Sequence, residues 1–331
     1  MSSFLFDRSA VAEHAEIPAV MDAVEQAFAA HARGESVMPA KTYIDLPAYN
    51  GDFRSMPAYI DVGDWDAAGV KWVNVHPDNP DRHDLPTVLG MYIYSDPATA
   101  RPLAVMDGIE LTKRRTAAAA GVATDHLAIP EASTLGIIGA GAQSHLQVAA
   151  IAAVRPIESI TVADRDQQAL EQFVDAFSGD FAVTTGSATD AAVCDVLCTL
   201  TPVTEPMVSL QDVGPETHIN AIGADAPGKQ ELAVDLLSAA TIVIDDYEQC
   251  VHSGEINVPW AAGDLGDEDV YAELGALIVG DRAGRQELTG RTVFDSTGLA
   301  IQDVAAAHVV YERAKGRTSD TFDFLELDQD T

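Results

Sequence analysis

The sequence predicts an α/β protein in which a doubly wound parallel sheet is joined to an α+β domain. From residue 134 onward, short near-continuous apolar runs alternate with helical stretches, the pattern of a parallel sheet covered on both faces. Before residue 134 the texture is different: strand-like segments follow one another, separated by Pro, Gly and Asp turns, as in a mostly antiparallel sheet. The first apolar run of the later region also leads straight into a glycine-rich turn and then a helix.

Taken in order, apolar Ile17, Val20, Met21, Val24 and Phe28 repeat at helical spacing and predict a helix over 17–33. "KTYIDLP", "DFRSMPAYI", "GVKWVNVHP" and "PTVLGMYIYS" predict four strands. A helix over 109–125, with its alanine-rich "TAAAAGVA", carries the chain into the second domain. Seven strands are expected there: 134–140, 159–164, 181–186, 195–200, 218–223, 241–246 and 292–296. A last helix, 299–316, is expected to pack back on the first domain, and the polar, acidic residues 317–331 are expected to form a loose tail. The expected division is 1–118 with 302–331, and 119–301.

The 331 residues can bury a substantial core. Fifty-two acids against nineteen bases give a formal charge of −33, which argues against nucleic acid, whose phosphates this surface would repel. Many strongly acidic chains are disordered, but here the acids are scattered among periodic apolar segments and the apolar fraction is 47%. A folded, halophilic protein fits better, because salt near 1 M cuts the Debye length to about 3 Å. No apolar run reaches the roughly 18 residues of a membrane span, and the N-terminus lacks a basic start with a long apolar stretch. A cytoplasmic protein is expected. Cys194, Cys198 and Cys250 have no paired metal spacing and read as core thiols. His76 and His83 share a loop, but their spacing is not that of a ligand pair, so no metal is expected.

The strand 134–140 runs into "GAGAQSH". Gly139 and Gly141 allow a tight turn and a close approach to a pyrophosphate, while the next helix offers its free N–H groups. Asp164 ends the following strand twenty-five residues after Gly139, in the place of an acid that binds an adenosine ribose. The third small position is Ser144. This is a Rossmann-type fingerprint. The acid at 164 favours NAD, and the adjacent Arg165 leaves NADP possible.

Only five lysines stand against fourteen arginines, and three of them, Lys41, Lys71 and Lys229, lie in segments of interest. In "NAIGADAPGKQEL" a single acid, Asp225, sits among small residues. It is read either as a turn residue capping a helix that starts near Pro227 or Gly228, or as a group doing chemistry at the end of a strand.

With these motifs in hand, the chain resembles the ornithine cyclodeaminase/mu-crystallin family, which includes archaeal-type alanine dehydrogenases and imine or ketimine reductases. "RSMPAY", "KWVNVHP", "LTKRRTAAAAG", "GAGAQSH", "NAIGADAPGKQEL", "SGEI" and "FDSTG" occur in family order over nearly the whole chain. The resemblance implies a homodimer, with a substrate-binding and dimerisation domain and with substrate placed between it and the NAD-binding domain. It implies that Asp225 is the acid/base, that Lys71 contacts substrate in catalysis, that Arg115 serves substrate carboxylate and cofactor, and that Lys41 is a basic substrate ligand. Thr87, Gly139, Gly141, Ala142, Gln143, Asp164, Arg165, Thr201, Asn220, Ala221, Gly223, Lys229 and Ser296 are the implied cofactor positions, and Thr297 lies next to the substrate.

In one departure, ornithine cyclodeaminases carry a glutamate two residues before the Met-Pro, suited to a distal ammonium, where this chain has Arg54. An arginine repels that ammonium and can instead pair with a carboxylate. The expected activity is therefore a reversible NAD-dependent oxidation of a small amino acid, L-alanine plus water giving pyruvate and ammonia. Cyclodeamination of ornithine, ketimine or imine reduction, and non-catalytic ligand binding are the alternatives.

Overall fold

The computed structural model describes residues 2–317 and 320–323. The chain divides into two compact units, Met1–Arg115 with Leu299–Thr331, and Thr116–Gly298. Both boundaries fall slightly before the expected positions 118 and 301, and the first lies inside the helix Gly108–Leu127.

In the second unit all seven expected strands are present, and an eighth, Val270–Glu273, joins them. The order across the sheet is Ala182–Thr185, Ser159–Ala163, Thr134–Ile138, Val196–Thr199, His218–Ala221, Thr292–Asp295, Thr241–Ile244 and Val270–Glu273. Every pairing is parallel. Alternate strand residues feed two cores. Leu135, Ile137, Val196 and Cys198 belong to one, Ile138, Leu197, Ile219 and Ala221 to the other, which is why the strands read as unbroken apolar runs. The eighth strand escaped the sequence reading because its four residues are only half-buried at the sheet edge. All three cysteines are buried, and burial pushes the Cys198 thiol up to about 12.

One buried arginine secures the end of a helix in this unit. Arg155 donates to the carbonyls of Thr124, Asp125, Ala128 and Ile129, where the helix ending at Leu127 runs out of partners of its own. Its Nη1 also pairs with Asp125 at 2.8 Å.

In the first unit the sheet order is Thr321–Phe322, Ser3–Phe6, Pro102–Asp107, Val88–Ser95, Asp66–Val75 and Gly51–Asp61, with Ser36–Val37 and Thr42–Leu46 pairing along the far edge of Gly51–Asp61. The sheet is antiparallel except where Ser3–Phe6 lies parallel to Pro102–Asp107. The four expected strands are present, and Ser3–Phe6, Ser36–Val37 and Pro102–Asp107 are additions. The helix Ile17–Ala32 packs against the last helix, Ala300–Ala314, which lies on the strands Gly51–Asp61 and Asp66–Val75. Period-2 alternation then separates the strand residues. Met56, Ala58, Ile60, Lys71, Val73, Tyr92 and Tyr94 face these helices and are buried. The expectation of a loose tail is corrected at Thr321–Phe322, which pairs with Ser3–Phe6; residues 318–319 and 324–331 lie outside the described residues.

Candidate functional site

In the second unit, a cleft of 490 Å³ opens at the carboxyl ends of the strands. Among its walls are Gly139, Gly141, Asp164, Arg165 and Thr201. Gly139 turns the chain at φ +104°, and a Cβ there would press on the Leu200 carbonyl at 3.1 Å. Gly141 is different: a Cβ built on it meets no atom within 4 Å. The protein's own packing does not require that glycine, so the space it leaves is available to a ligand. The helix Ser144–Val154 follows directly. The half-buried Asp164 accepts from the Ala140 amide at 2.6 Å and from the Asp166 amide at 2.9 Å, which fixes its carboxylate against the glycine turn. Next to it, Arg165 is exposed. An N–H-rich turn, a helix start and a fixed carboxylate at one cleft fit a dinucleotide.

Thr201 is held from behind. Its amide and hydroxyl both donate to the buried Glu231 carboxylate at 2.7 Å, and the Gly223 amide donates to the other Glu231 oxygen at 2.9 Å. A Cβ on Gly223 would lie 2.2 Å from the Thr201 carbonyl, so a glycine is needed where these two segments meet. Burial raises the Glu231 pKa.

Other expected cofactor positions lie elsewhere. Ala142 and Gln143 lead into the helix, and the Gln143 Oε1 has no hydrogen-bond partner among the described residues. Ala221 is fully buried in its strand. Asn220 is buried as well, and its amide nitrogen donates to Thr124 at 2.9 Å, so its side chain works within the core. Thr87 belongs to the first unit, where its carbonyl accepts from the His76 amide.

Asp225 follows the strand His218–Ala221. No helix begins near Pro227; the next one starts at Val234, so Asp225 is not the N-cap of a helix starting there. Its carboxylate accepts from Lys229 Nζ at 2.5 Å, and its side chain remains 46% exposed. Ser296 and Thr297 are likewise tied down. Both hydroxyls and the Gly298 amide donate to Asp245, at 3.1, 3.2 and 2.8 Å. Asp245, 1% exposed, was not singled out by the sequence, although an acid ending an apolar strand, as at Asp164, was a usable signal. Its neighbour Asp295 accepts from the amides of Glu255 and Ile256, and burial pushes its carboxyl up to about 8.

In the first unit the structure brings Lys71 and Arg115 together on one acid, Asp303. Lys71 Nζ lies 2.8 Å from Oδ2 and 3.0 Å from Oδ1, and Arg115 Nε donates to Oδ1 at 3.1 Å. Lys71 also donates to Thr112 at 3.2 Å, and Arg115 to Gln302 at 3.1 Å. All four of Lys71, Arg115, Gln302 and Asp303 are buried. Burial depresses the Lys71 pKa to about 8, against the pull of Asp303 and with the help of the Arg115 charge. Of the run Lys113, Arg114 and Arg115, only Arg115 points this way; Arg114 pairs with Glu110 and the Ala15 carbonyl. Sequence reading missed Asp303 and Gln302. The available signal was an acid inside "LAIQDVAAAHVV", where every neighbour from 300 to 307 is buried.

Arg54 shares this face of the sheet but is gripped by Asp52, with Nε at 3.1 and 3.2 Å and Nη2 at 2.9 Å, and it lies over the Tyr43 ring. Since Asp52 neutralises it, Arg54 repels an ammonium less than its charge alone implies. Lys41 is close enough for its charge to lower the Lys71 pKa. Among the described residues no group of three or more His, Cys, Asp or Glu is placed to hold a metal ion, and no helix is long and apolar enough to cross a membrane.

Known proteins share this organisation. Alanine dehydrogenase of Archaeoglobus fulgidus is 44% identical over 316 residues, covering 95% of this chain and 96% of that protein. A solved archaeal alanine dehydrogenase dimer with bound NAD is 43% identical, with a TM-score of 0.93 over 98% of this chain and all of the other. The Thermococcus litoralis Delta(1)-pyrroline-2-carboxylate reductase, solved with NADH and L-proline, is 32% identical, with a TM-score of 0.90 over 97% of this chain and 99% of that one. The profile of the ornithine cyclodeaminase/mu-crystallin family matches residues 2–318, nearly the whole chain and both units, and the chain belongs to that family.

Proposed function

We propose that the protein is an NAD-dependent amino acid dehydrogenase acting reversibly on L-alanine. The observation that carries this reading is the buried Lys71 and Arg115 pair on Asp303, in a chain 44% identical to an alanine dehydrogenase. Two positive groups share one negative partner, so the cluster is one positive charge in excess, which suits the carboxylate of a small amino or keto acid. Gln302 adds a buried Nε2 donor that has no partner among the described residues. Lys41 contributes further positive charge near Lys71, while the charge of Arg54 is largely taken up by Asp52. The family resemblance gives Thr297, fixed by Asp245, a substrate role.

The dinucleotide is held by Gly139, Gly141, Ala142 and Gln143 at the pyrophosphate, by Asp164 at the ribose, and by Thr201, Gly223, Lys229 and Ser296 beyond them. NAD supplies the acceptor for the hydrogen leaving the α-carbon. Asp225 moves the proton of the attacking water and of the departing ammonia, with Lys229 holding its carboxylate. Arg165, exposed in the cleft, keeps NADP as a weaker second cofactor. The likeness to the pyrroline-2-carboxylate reductase favours imine reduction as the second reading.

Absorbance at the NADH band decides between them. In high salt, L-alanine with NAD should yield NADH, and pyruvate with ammonia should consume it. Proline formed from L-ornithine without net NADH, or turnover of 1-pyrroline-2-carboxylate alone, would overturn the alanine reading.

We further propose a homodimer working in the cytoplasm. The sheet face opposite Lys71 carries Ile44, Trp72 and Met91, each 41–49% exposed, with Phe53 stacked on Trp72 at 5.2 Å. Such a contiguous apolar face is typical of an interface, and the archaeal relative is a dimer. Light scattering should give twice the 35.0 kDa of the chain, and the double variant Trp72→Asp, Met91→Asp should fall to the single mass while remaining folded. A wild type at the single mass would remove the dimer.

A further inference from the structure

We propose that Asp303 is the positioning residue of the carboxylate site: it keeps Lys71 charged and fixes the direction of Arg115, and so sets the pH range in which an anionic substrate binds. The inference rests on the reading of Lys71 and Arg115 as carboxylate ligands. Asp303 comes from the last helix, 188 residues from Arg115 and 232 from Lys71, and it is fully buried. One of its oxygens, Oδ1, receives both cations, and Gln302, next to it on the helix, takes the Arg115 Nη1. The guanidinium is therefore held at two of its nitrogens and has one orientation. The ammonium is held by the carboxylate and by Thr112.

The groups around Lys71 come from every element packed on it. Tyr92 lies opposite on the neighbouring strand, Met56 opposite on the other side, Arg115 and Thr112 are on the helix Gly108–Leu127, Asp303 is on the last helix, and Lys41 precedes the edge strand. Of these, Asp303 is the group that favours the charged amine. Burial, Arg115 and Lys41 all favour the neutral one, and the balance leaves Lys71 at about 8. A base with a depressed pKa is charged below it and neutral above it. Substrate anion binding must then weaken as pH rises through about 8, and without the Asp303 charge it must weaken from a lower pH.

The test is Asp303→Asn in the full-length protein, read two ways. Because the chain has only five lysines, ¹³Cε-lysine NMR with single Lys→Arg assignments isolates Lys71. Its midpoint should lie near 8 in the wild type and fall by about one pH unit or more in the variant. The alkaline limb of kcat/KM for pyruvate should move down by the same amount. At pH 8 the loss, about fivefold or more, should sit in KM rather than kcat. Asp303→Glu should bring the limb back toward its wild-type place.

An unmoved Lys71 midpoint, or a loss of activity equal at every pH with the limb in place, would reduce Asp303 to packing and overturn the proposal. If Asp303→Asn does not fold, Arg115→Gln serves instead: it leaves Asp303 wholly to Lys71, and the midpoint must rise. A midpoint that stays where it was is equally fatal. The NMR titration needs no substrate, so a failure of the alanine reading, seen as absent turnover, is separate from a failure of this one.

Discussion

Replacing Asp225 by asparagine is expected to lower kcat by about 10²–10⁴-fold, the usual worth of a general acid or base, while NAD still binds with nearly unchanged affinity. The geometry separates the two effects. The parts read as holding the dinucleotide, the Gly139 turn, Asp164 and Thr201, are supported by Ala140, Leu200 and Glu231 rather than by Asp225. Asp225 sits on the turn after the strand His218–Ala221, with no helix beginning near Pro227, and touches the support structure through Lys229. Asparagine keeps the shape and one acceptor oxygen for Lys229 but cannot take up a proton at neutral pH. Steady-state rates with L-alanine and NAD, beside a fluorescence titration with NADH, check both halves. A variant within tenfold of wild-type kcat would take Asp225 out of the proton transfer, and a large loss of NADH affinity would make it a cofactor ligand instead.

What the sequence made legible was whatever is local. A parallel strand covered on both faces is a short apolar run whatever its partners, so the strands 134–140 to 292–296 could be placed without their order. The glycine turn and Asp164 were readable for the same reason, since strand, turn, helix and acid lie within one stretch of chain. Partners far apart in sequence were not readable. Asp303 has meaning only once the last helix lies across the strand carrying Lys71, and Asp52 is seen to cover Arg54 only when two residues of one strand are placed on the same face. Nothing in "AAVRPIES" sets Arg155 apart; its work is to serve carbonyls at the end of a helix nearly thirty residues earlier. Glu231 and Asp245 hide in the same way, as acids whose partners are amides and hydroxyls brought to them by other strands. The sequence thus pointed to residues of the cleft and of the buried Lys71–Arg115 cluster more readily than to the groups that hold them in place.

The charge of the chain leads to the other large effect. Of its fifty-two acids only Glu110, Glu231, Asp245, Glu255, Asp295 and Asp303 are buried among the described residues, so the net −33 acts at the surface. In a folded chain of this length such a charge repels itself by on the order of 20 kcal/mol at 0.1 M salt, where the Debye length is about 10 Å. At 1 M, with a Debye length of about 3 Å, the figure drops to about 10 kcal/mol. The unfolded chain, far more expanded, carries much less of this repulsion at either concentration. The difference of about 10 kcal/mol is as large as the whole stability of an ordinary domain, about 5–15 kcal/mol. The melting temperature is therefore expected to climb by about 10–15 °C between 0.1 and 1 M KCl, and to keep most of that gain in NaCl of equal ionic strength, since screening depends on ionic strength and not on the ion. Circular dichroism melts across that range check it. A melting temperature indifferent to KCl would mean that the acids are compensated locally, and a gain confined to sulfate would point to salt exclusion from the protein surface rather than to screening.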